Sequence, residues 1–233
     1  QTEDDYSGLF YKFIPTQKQN LAGRGKLYAL KIPGIENTSN KEGLISTGET
    51  FPVEWVRIKD PLAKSTKTKI QGKEAGASIF NGGEGIIYTK DKDLTTNIFF
   101  TCKKGGKSGL GQIWKYSPSK EKITLFYESD NVNNLWEGDN INITPWGDLV
   151  ICEDNGSNAC KIIGCTPNGT LYPLGRAAGN SSSEVAGICF SPDGKNMYLN
   201  IKAEGKIIVI NGDWSKISEY RDELDSKLIH YDV

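Results

Sequence analysis

Three stretches of the sequence place acidic side chains where several of them would meet. GGEGIIYT (82–89), EGDNINIT (137–144) and EVAGICFS (184–191) superimpose without a gap. Glu84, Asp139 and Ala186 then share one position, and Gly82, Glu137 and Glu184 share the position two residues earlier. If equivalent positions converge in the fold, the carboxylates repel one another unless something neutralises them. Hard cations held by carboxylate oxygens do this, calcium above all. The alternatives are a solvated acidic rim, or carboxylates that cap exposed loop amides. The densest acidic segment, EGDNINITPWGDLVICEDNG (137–156), carries Glu137, Asp139, Asp148, Glu153 and Asp154 around a run of alternating apolar residues. Asp139 and Glu137 fall in register with the other two stretches. Asp148 belongs to a turn, and Glu153 and Asp154 close a strand just before Asn155-Gly156, where capping is the plainer reading. Asp139-Asn140 also offers a carboxylate and an amide oxygen side by side, as a ring around one cation needs.

Other chemistries find less support. His230 is the one histidine and sits in the C-terminal tail, which argues against a serine–histidine triad. KKGGKSG (103–109) lacks the GxxxxGK[ST] spacing of a phosphate loop and reads as a basic hairpin loop. The five cysteines, at 102, 152, 160, 165 and 189, include no CxxC, so zinc spacing is missing. Cys102, Cys152 and Cys189 fall inside apolar strand patterns and read as buried free thiols; Cys160 and Cys165 are spaced to bridge a short loop. A formal net charge of −1 gives no electrostatic footprint for nucleic acid. No apolar run approaches the ~18 residues of a transmembrane segment.

The elements that must position these carboxylates are short strands. Strand patterns at 8–15, 25–32, 53–58, 85–90, 97–103, 111–117, 122–129, 148–154, 170–174, 196–202 and 205–211 alternate with Gly, Pro, Asn and Asp turns. Three turns, TPWGDL (144–149), TPNGTL (166–171) and SPDGKN (191–196), share Ser/Thr-Pro-x-Gly. Proline presets φ and glycine supplies positive φ, so each marks a strand-turn-strand junction. Two junctions recur in about 47 residues, the period of a four-stranded propeller blade. The expected fold is therefore an all-β propeller over 1–214, with partial blades at 10–60, 80–130, 137–176 and 184–212. A helix patterned over 213–228, capped by Asp213 or Ser215, begins a C-terminal helix and tail at 215–233. The lysine-rich segment 59–73 reads as an excursion between blades. In a propeller the first strand of each blade lines the central channel, which would bring the aligned acids to one mouth. Four blades is the low end for a closed ring, so the chain is expected to be part of a larger one, about six blades, or to need a partner segment.

TEDDYSGLFYKFIP (2–15), GKLYALKI (25–32), GEGIIY (83–88), IFFTCKKGG (98–106), GQIWKYSP (111–118), DNINITPWGDLVICEDNG (139–156) and SEVAGICFSPDGKNMYLNI (183–201) follow one another in the order found in PhoX-type alkaline phosphatases. The chain resembles the C-terminal portion of that family over about 2–214. The resemblance implies a six-bladed propeller, export to the periplasm or outside the cell, and hydrolysis of phosphomonoesters by an iron–calcium cluster at the ring centre. It implies Glu3 of TED as a metal ligand with Asp4 beside it, and Glu84 of GEG and Asp139 of DN as calcium ligands. Glu184 of SEVAG and Glu153 and Asp154 of CED become ligands or their supports. An arginine often stands in the family where this chain has Gly82, and no basic residue near it in sequence replaces it; Lys73 and Lys90 are distant. Family members also carry an N-terminal half before TED that supplies blades and a cysteine ligand for iron.

Three functions follow. The first is a calcium- and iron-dependent phosphomonoesterase of which this chain is the C-terminal part of the propeller, completed by an N-terminal segment or another subunit. The second is a non-catalytic propeller serving as a structural or protein-interaction subunit, favoured by Gly82. The third is a calcium-dependent lactonase-type propeller, which needs only a carboxylate and Asn ring around one cation.

Overall fold

Alternating apolar residues and proline–glycine turns dictate short antiparallel strands, and a computed structural model describes them over residues 1–90, 94–156, 159–177 and 183–228. His230 lies outside the described residues. The chain divides into two compact units, Gln1–Asp130 and Asn131–Val233. It is all-β in character, with four antiparallel sheets of three to five strands and two helices among the described residues. Neither helix is long and apolar enough to cross a membrane.

The first unit holds β1 (Tyr11–Pro15), β2 (Gly25–Lys31), β3 (Thr50–Pro52), β4 (Glu54–Ile58), α1 (Thr68–Glu74), β5 (Gly83–Lys90), β6 (Thr96–Cys102), β7 (Gln112–Ser117) and β8 (Lys122–Glu128). One sheet runs β1-β2-β4, and the other runs β5 to β8 in order with β3 added outside β8. Residues 50–52 are too short to show a period, yet Phe51 pairs with Ile123 and the Thr50 and Thr124 hydroxyls lie 2.8 Å apart. The core of this unit is aromatic. Phe10 stacks on Phe100 at 4.3 Å, and Phe80 meets the fully buried Trp114 edge-on at 5.7 Å. The buried indole N–H donates to Gln112 Oε1 at 3.1 Å, so no polar atom of Trp114 is left unpaired. At the end of 59–73, read as an excursion between blades, the structure places α1. Gln71 pins the helix by taking the Asp60 N–H and donating to the Asp60 and Thr66 carbonyls.

The second unit holds β9 (Gly138–Ile143), β10 (Leu149–Glu153), β11 (Lys161–Cys165), β12 (Leu171–Arg176), β13 (Val185–Phe190), β14 (Asn196–Ile201), β15 (Lys206–Asn211) and α2 (Ser215–Leu228). β9 to β12 form one sheet in sequence order, and β13 to β15 form another. Val150, Cys152, Ile162, Val185, Ile188, Met197 and Leu199 are buried together between them. The three related turns adopt one geometry. The Thr144, Thr166 and Ser191 carbonyls accept from the N–H of Gly147, Gly169 and Gly194, whose φ values are +92°, +89° and +72°. The same three residues' hydroxyls accept the N–H of Asp148, Thr170 and Asn196 where the returning strand begins.

Three local expectations change. The segment between Cys160 and Cys165, expected as a short loop with a bridge the less favoured reading, is β11, and both thiols are free and buried. Cys189 is exposed rather than buried, because the pairing of β13 with β14 slips between Ala186 and Cys189 and turns Ile188 inward instead. Asp148, read as a turn residue, is buried and anchors α2. Its carboxylate accepts from Tyr172 Oη at 2.7 Å and pairs with Arg221 at 3.3 Å, while Arg221 also donates to the Trp146 carbonyl at 3.2 Å. Burial pushes the Asp148 carboxyl pKa above its ordinary value, against the pull of these donors. The helix starts as expected, with Asp213 Oδ1 accepting the Ser215 N–H at 3.2 Å.

The Tyr172 ring lies flat against its cross-strand partner Gly164, where a Cβ would stand 2.1 Å from Cζ. Gly164→Ala is therefore expected to displace Tyr172 from Asp148 and destabilise the protein by about 1–3 kcal/mol in urea unfolding. Gly175→Ala on the neighbouring strand, whose added Cβ meets nothing closer than 3.8 Å, should stay within about 0.5 kcal/mol.

Candidate functional site

The aligned stretches become β5, β9 and β13, each an edge strand of its sheet, and each carries a slip in pairing. Gly83 pairs with Cys102 but Ile86 with Phe100; Gly138 pairs with Glu153 but Ile141 with Ile151; Ala186 pairs with Asn200 but Cys189 with Tyr198. Each edge strand spends one more residue than its partner across the step, which is a β-bulge. Bulges re-aim side chains and are frequent beside functional sites. Glu84-Gly85 and Asp139-Asn140 lie within two of them, and Gly187, at φ +63°, within the third.

In the second unit the bulge contributes to a convergence. Asp139, Asp154 and Glu184 each present a carboxylate oxygen within 4.8 Å of the others, and all three residues are half-buried. Asp154 follows β10 and is held by its N–H, which donates to the Glu137 carbonyl at 3.1 Å. Glu137 serves there through its backbone, at φ +54°. Glu184 precedes β13, and its carbonyl accepts the Lys202 N–H at 3.1 Å. The edge strands β9 and β13 are laced together by side-chain amides. Asn142 Nδ2 donates to the Ile188 carbonyl at 2.8 Å, and the Ile188 N–H donates to Asn140 Oδ1 at 3.0 Å. Asn140 therefore uses its oxygen to seat β13 beside β9.

Three anions this close repel strongly: two unit charges ~5 Å apart at an effective dielectric near 20 cost about 3 kcal/mol before salt screening. A cation already relieves part of this. The Lys202 ammonium is paired with Glu184, and its pKa is raised first by Glu184 and then by Asp154 and Asp139.

Glu153 is committed elsewhere. It is fully buried, with Oε1 accepting from the Trp136 N–H at 2.8 Å and pairing with Lys161 at 3.2 Å. Its Oε2 accepts from the Lys161 N–H at 2.9 Å and from Asn155 Nδ2 at 3.1 Å. Sequence reasoning treated Glu153 and Asp154 as a pair; the structure separates them, one a loop cap and the other part of the acidic group.

The first unit brings TED and GEG together across eighty residues of chain. The Glu3 carbonyl accepts the Gly83 N–H at 3.2 Å, and the Thr2 hydroxyl donates to the Glu84 carbonyl. Glu3 Oε2 accepts from the Leu9 N–H at 3.1 Å and from Tyr11 Oη at 2.8 Å, which leaves its second oxygen outside those two bonds. Burial and the Glu3 charge push the Tyr11 phenol pKa well up. Glu84 is half-buried and Asp4 is exposed. Gly82 has φ +64°, and a Cβ there would stand 3.4 Å from Lys104 Cγ and 3.5 Å from Lys103 Cβ. The basic neighbours of Gly82 are thus Lys103 and Lys104, both engaged in interactions of their own. The hairpin register that pairs Gly83 with Cys102 is the signal that predicts them.

The acidic group in the second unit is built of carboxylate oxygens, which suit a hard ion such as calcium. It contains no cysteine. Cys152, which feels the charges of Asp139, Glu153 and Glu184, is held protonated mainly by burial. These residues fit calcium; they do not fit an iron held by a thiolate.

The sequence model of the alkaline phosphatase PhoX matches residues 1–205. The chain belongs to the PhoX alkaline phosphatase family. PhoX proteins are phosphatases that depend on metal in general, and the acidic group lies within the matched region. A search of curated proteins returned no match. Among solved structures, a protein from Bacteroides uniformis ATCC 8492 named as a 6-phosphogluconolactonase is similar at 10% identity and a TM-score of 0.42. The alignment covers 91% of this chain and 51% of that one, so the chain spans about half the length of that structure. A likeness this slight has no bearing on activity.

Replacing Glu153 by Gln removes the counter-charge of Lys161 and should lower unfolding stability by about 2–3 kcal/mol. Asp154→Asn, at a half-buried residue that keeps its amide bond to the Glu137 carbonyl, should cost less than about 1 kcal/mol in the same urea titration. The reverse order would mean that Asp154 is the structural carboxylate.

Proposed function

We propose that this chain is part of a PhoX-type metal-dependent phosphomonoesterase, with Asp139, Asp154 and Glu184 as ligands of a calcium ion. The observation that carries this reading is the convergence of three carboxylates from a strand bulge and two strand ends, inside the region matched by the family. Calcium bound there would supply a positive centre for phosphoryl oxygens. The chain's own residues do the positioning. The β9 bulge aims Asp139, the Glu137 carbonyl holds Asp154 through its amide, and Asn140 and Asn142 keep β13 at the distance that Glu184 needs. Glu3 and Glu84, joined through the TED and GEG backbone contacts, are proposed as further ligands of the first unit. Asp4, being exposed, is the weakest member of that set.

The four sheets are proposed as blades of a larger propeller, about six-bladed, whose ring is completed by an N-terminal segment or another subunit. Export is proposed with the family. A second reading keeps the cation site but not the chemistry: a non-catalytic propeller in which calcium fastens β9 to β13. Gly82 and the absence of cysteine from the acidic group favour it.

Calcium binding by calorimetry and p-nitrophenyl phosphate hydrolysis, with and without chelator, distinguish these readings. Asp139→Asn and Asp154→Asn are expected to weaken calcium binding about 10–100-fold and hydrolysis in parallel. Calcium binding without hydrolysis in the protein as it occurs natively would select the second reading, and protein that neither binds metal nor hydrolyses would sink both.

A further inference from the structure

The acidic group has a lid of opposite charge that the ligand reading leaves unexplained. Lys202 follows β14, and its backbone is fixed by the bond from its N–H to the Glu184 carbonyl. Its side chain is 67% exposed, whereas the Glu184 side chain it grips is 14% exposed. The ammonium therefore reaches inward from solvent onto a carboxylate that solvent barely touches, on a flexible stem that costs little to swing away. An ammonium and a divalent cation compete for the same lone pairs. Three carboxylates carry one more negative charge than a bound calcium ion neutralises, so the ammonium and the ion contest the Glu184 oxygens rather than the overall charge balance.

We propose that Lys202 is a tethered counter-ion: it neutralises the Asp139–Asp154–Glu184 group when no divalent ion is present and must leave Glu184 for one to enter. This rests on the reading of that group as a cation site. Lys202 then sets the calcium affinity from outside the ligand set, and its loss has effects of opposite sign on the two forms. The metal-free protein loses the charge partner of Glu184, while the metal-bound protein loses a competitor.

The test compares wild type, Lys202→Met and Lys202→Arg by calcium titration in a calorimeter and by thermal unfolding in chelator and in excess calcium. Lys202→Met is expected to bind calcium about three- to tenfold more tightly, the scale of one partly exposed ion pair. It should melt lower than wild type in chelator and show a larger rise on adding calcium. Lys202→Arg, whose planar fork holds a carboxylate more firmly, should bind calcium no more tightly than wild type. Equal or weaker binding by Lys202→Met, with binding by wild type intact, overturns the displacement role alone. Absence of calcium binding in both wild type and Lys202→Met overturns the cation site and this inference with it.

Discussion

Carboxylates do not gather of their own accord, and the repulsion among Asp139, Asp154 and Glu184 has to be offset by everything around them. The offset begins in the backbone. Slipped pairing in β9 aims Asp139, an amide–carbonyl bond to Glu137 steadies Asp154, and two asparagine side chains hold β13 beside β9. Below the group, the apolar layer from Val150 to Leu199 makes the two sheets one body, so the strand ends cannot drift apart to relieve the charge. Above it, Lys202 brings a positive charge to Glu184.

The same unit handles its other buried acids differently, which separates their roles. Glu153 is satisfied by three donors and an ammonium, leaving nothing to offer a ligand. Asp148 is shared between Tyr172 and Arg221 and ties α2 to the turn after β9. Both carboxylates are more deeply buried than the acidic group, yet each has a complete set of protein partners. Depth of burial therefore does not pick out the chemical site; the convergence of three carboxylates does.

Much of this was legible beforehand. The Ser/Thr-Pro-x-Gly turns are local, their geometry set by one proline and one glycine, and all three formed as read. The gap-free register of 82–89, 137–144 and 184–191 anticipated that these segments are equivalent edge strands and singled out Asp139 and Glu184. What escaped reading was whatever depends on a partner. β3 is a strand only because β8 offers it an edge, and β11 looked like a loop because Gly164 and two cysteines hide its apolar run. Asp154 lies at no aligned position and joins the group only through the return of β10. Lys104 reaches Gly82 by hairpin register, and Lys202 reaches Glu184 by the pairing of β13 with β14; neither is near its target in sequence.

The bulge recurs in three sheets while its residues differ: Glu-Gly in one, Asp-Asn in the next, and a left-handed glycine before isoleucine in the third. The slip is a property of hydrogen-bond spacing and asks little of the side chains it displays. Each of these three sheets thus carries the same one-residue slip, a socket whose fitting differs from sheet to sheet and takes a left-handed glycine in the third. A scaffold so divided lets charge be added to one sheet or withdrawn from another one residue at a time, while the ladders that hold the chain together stay as they are.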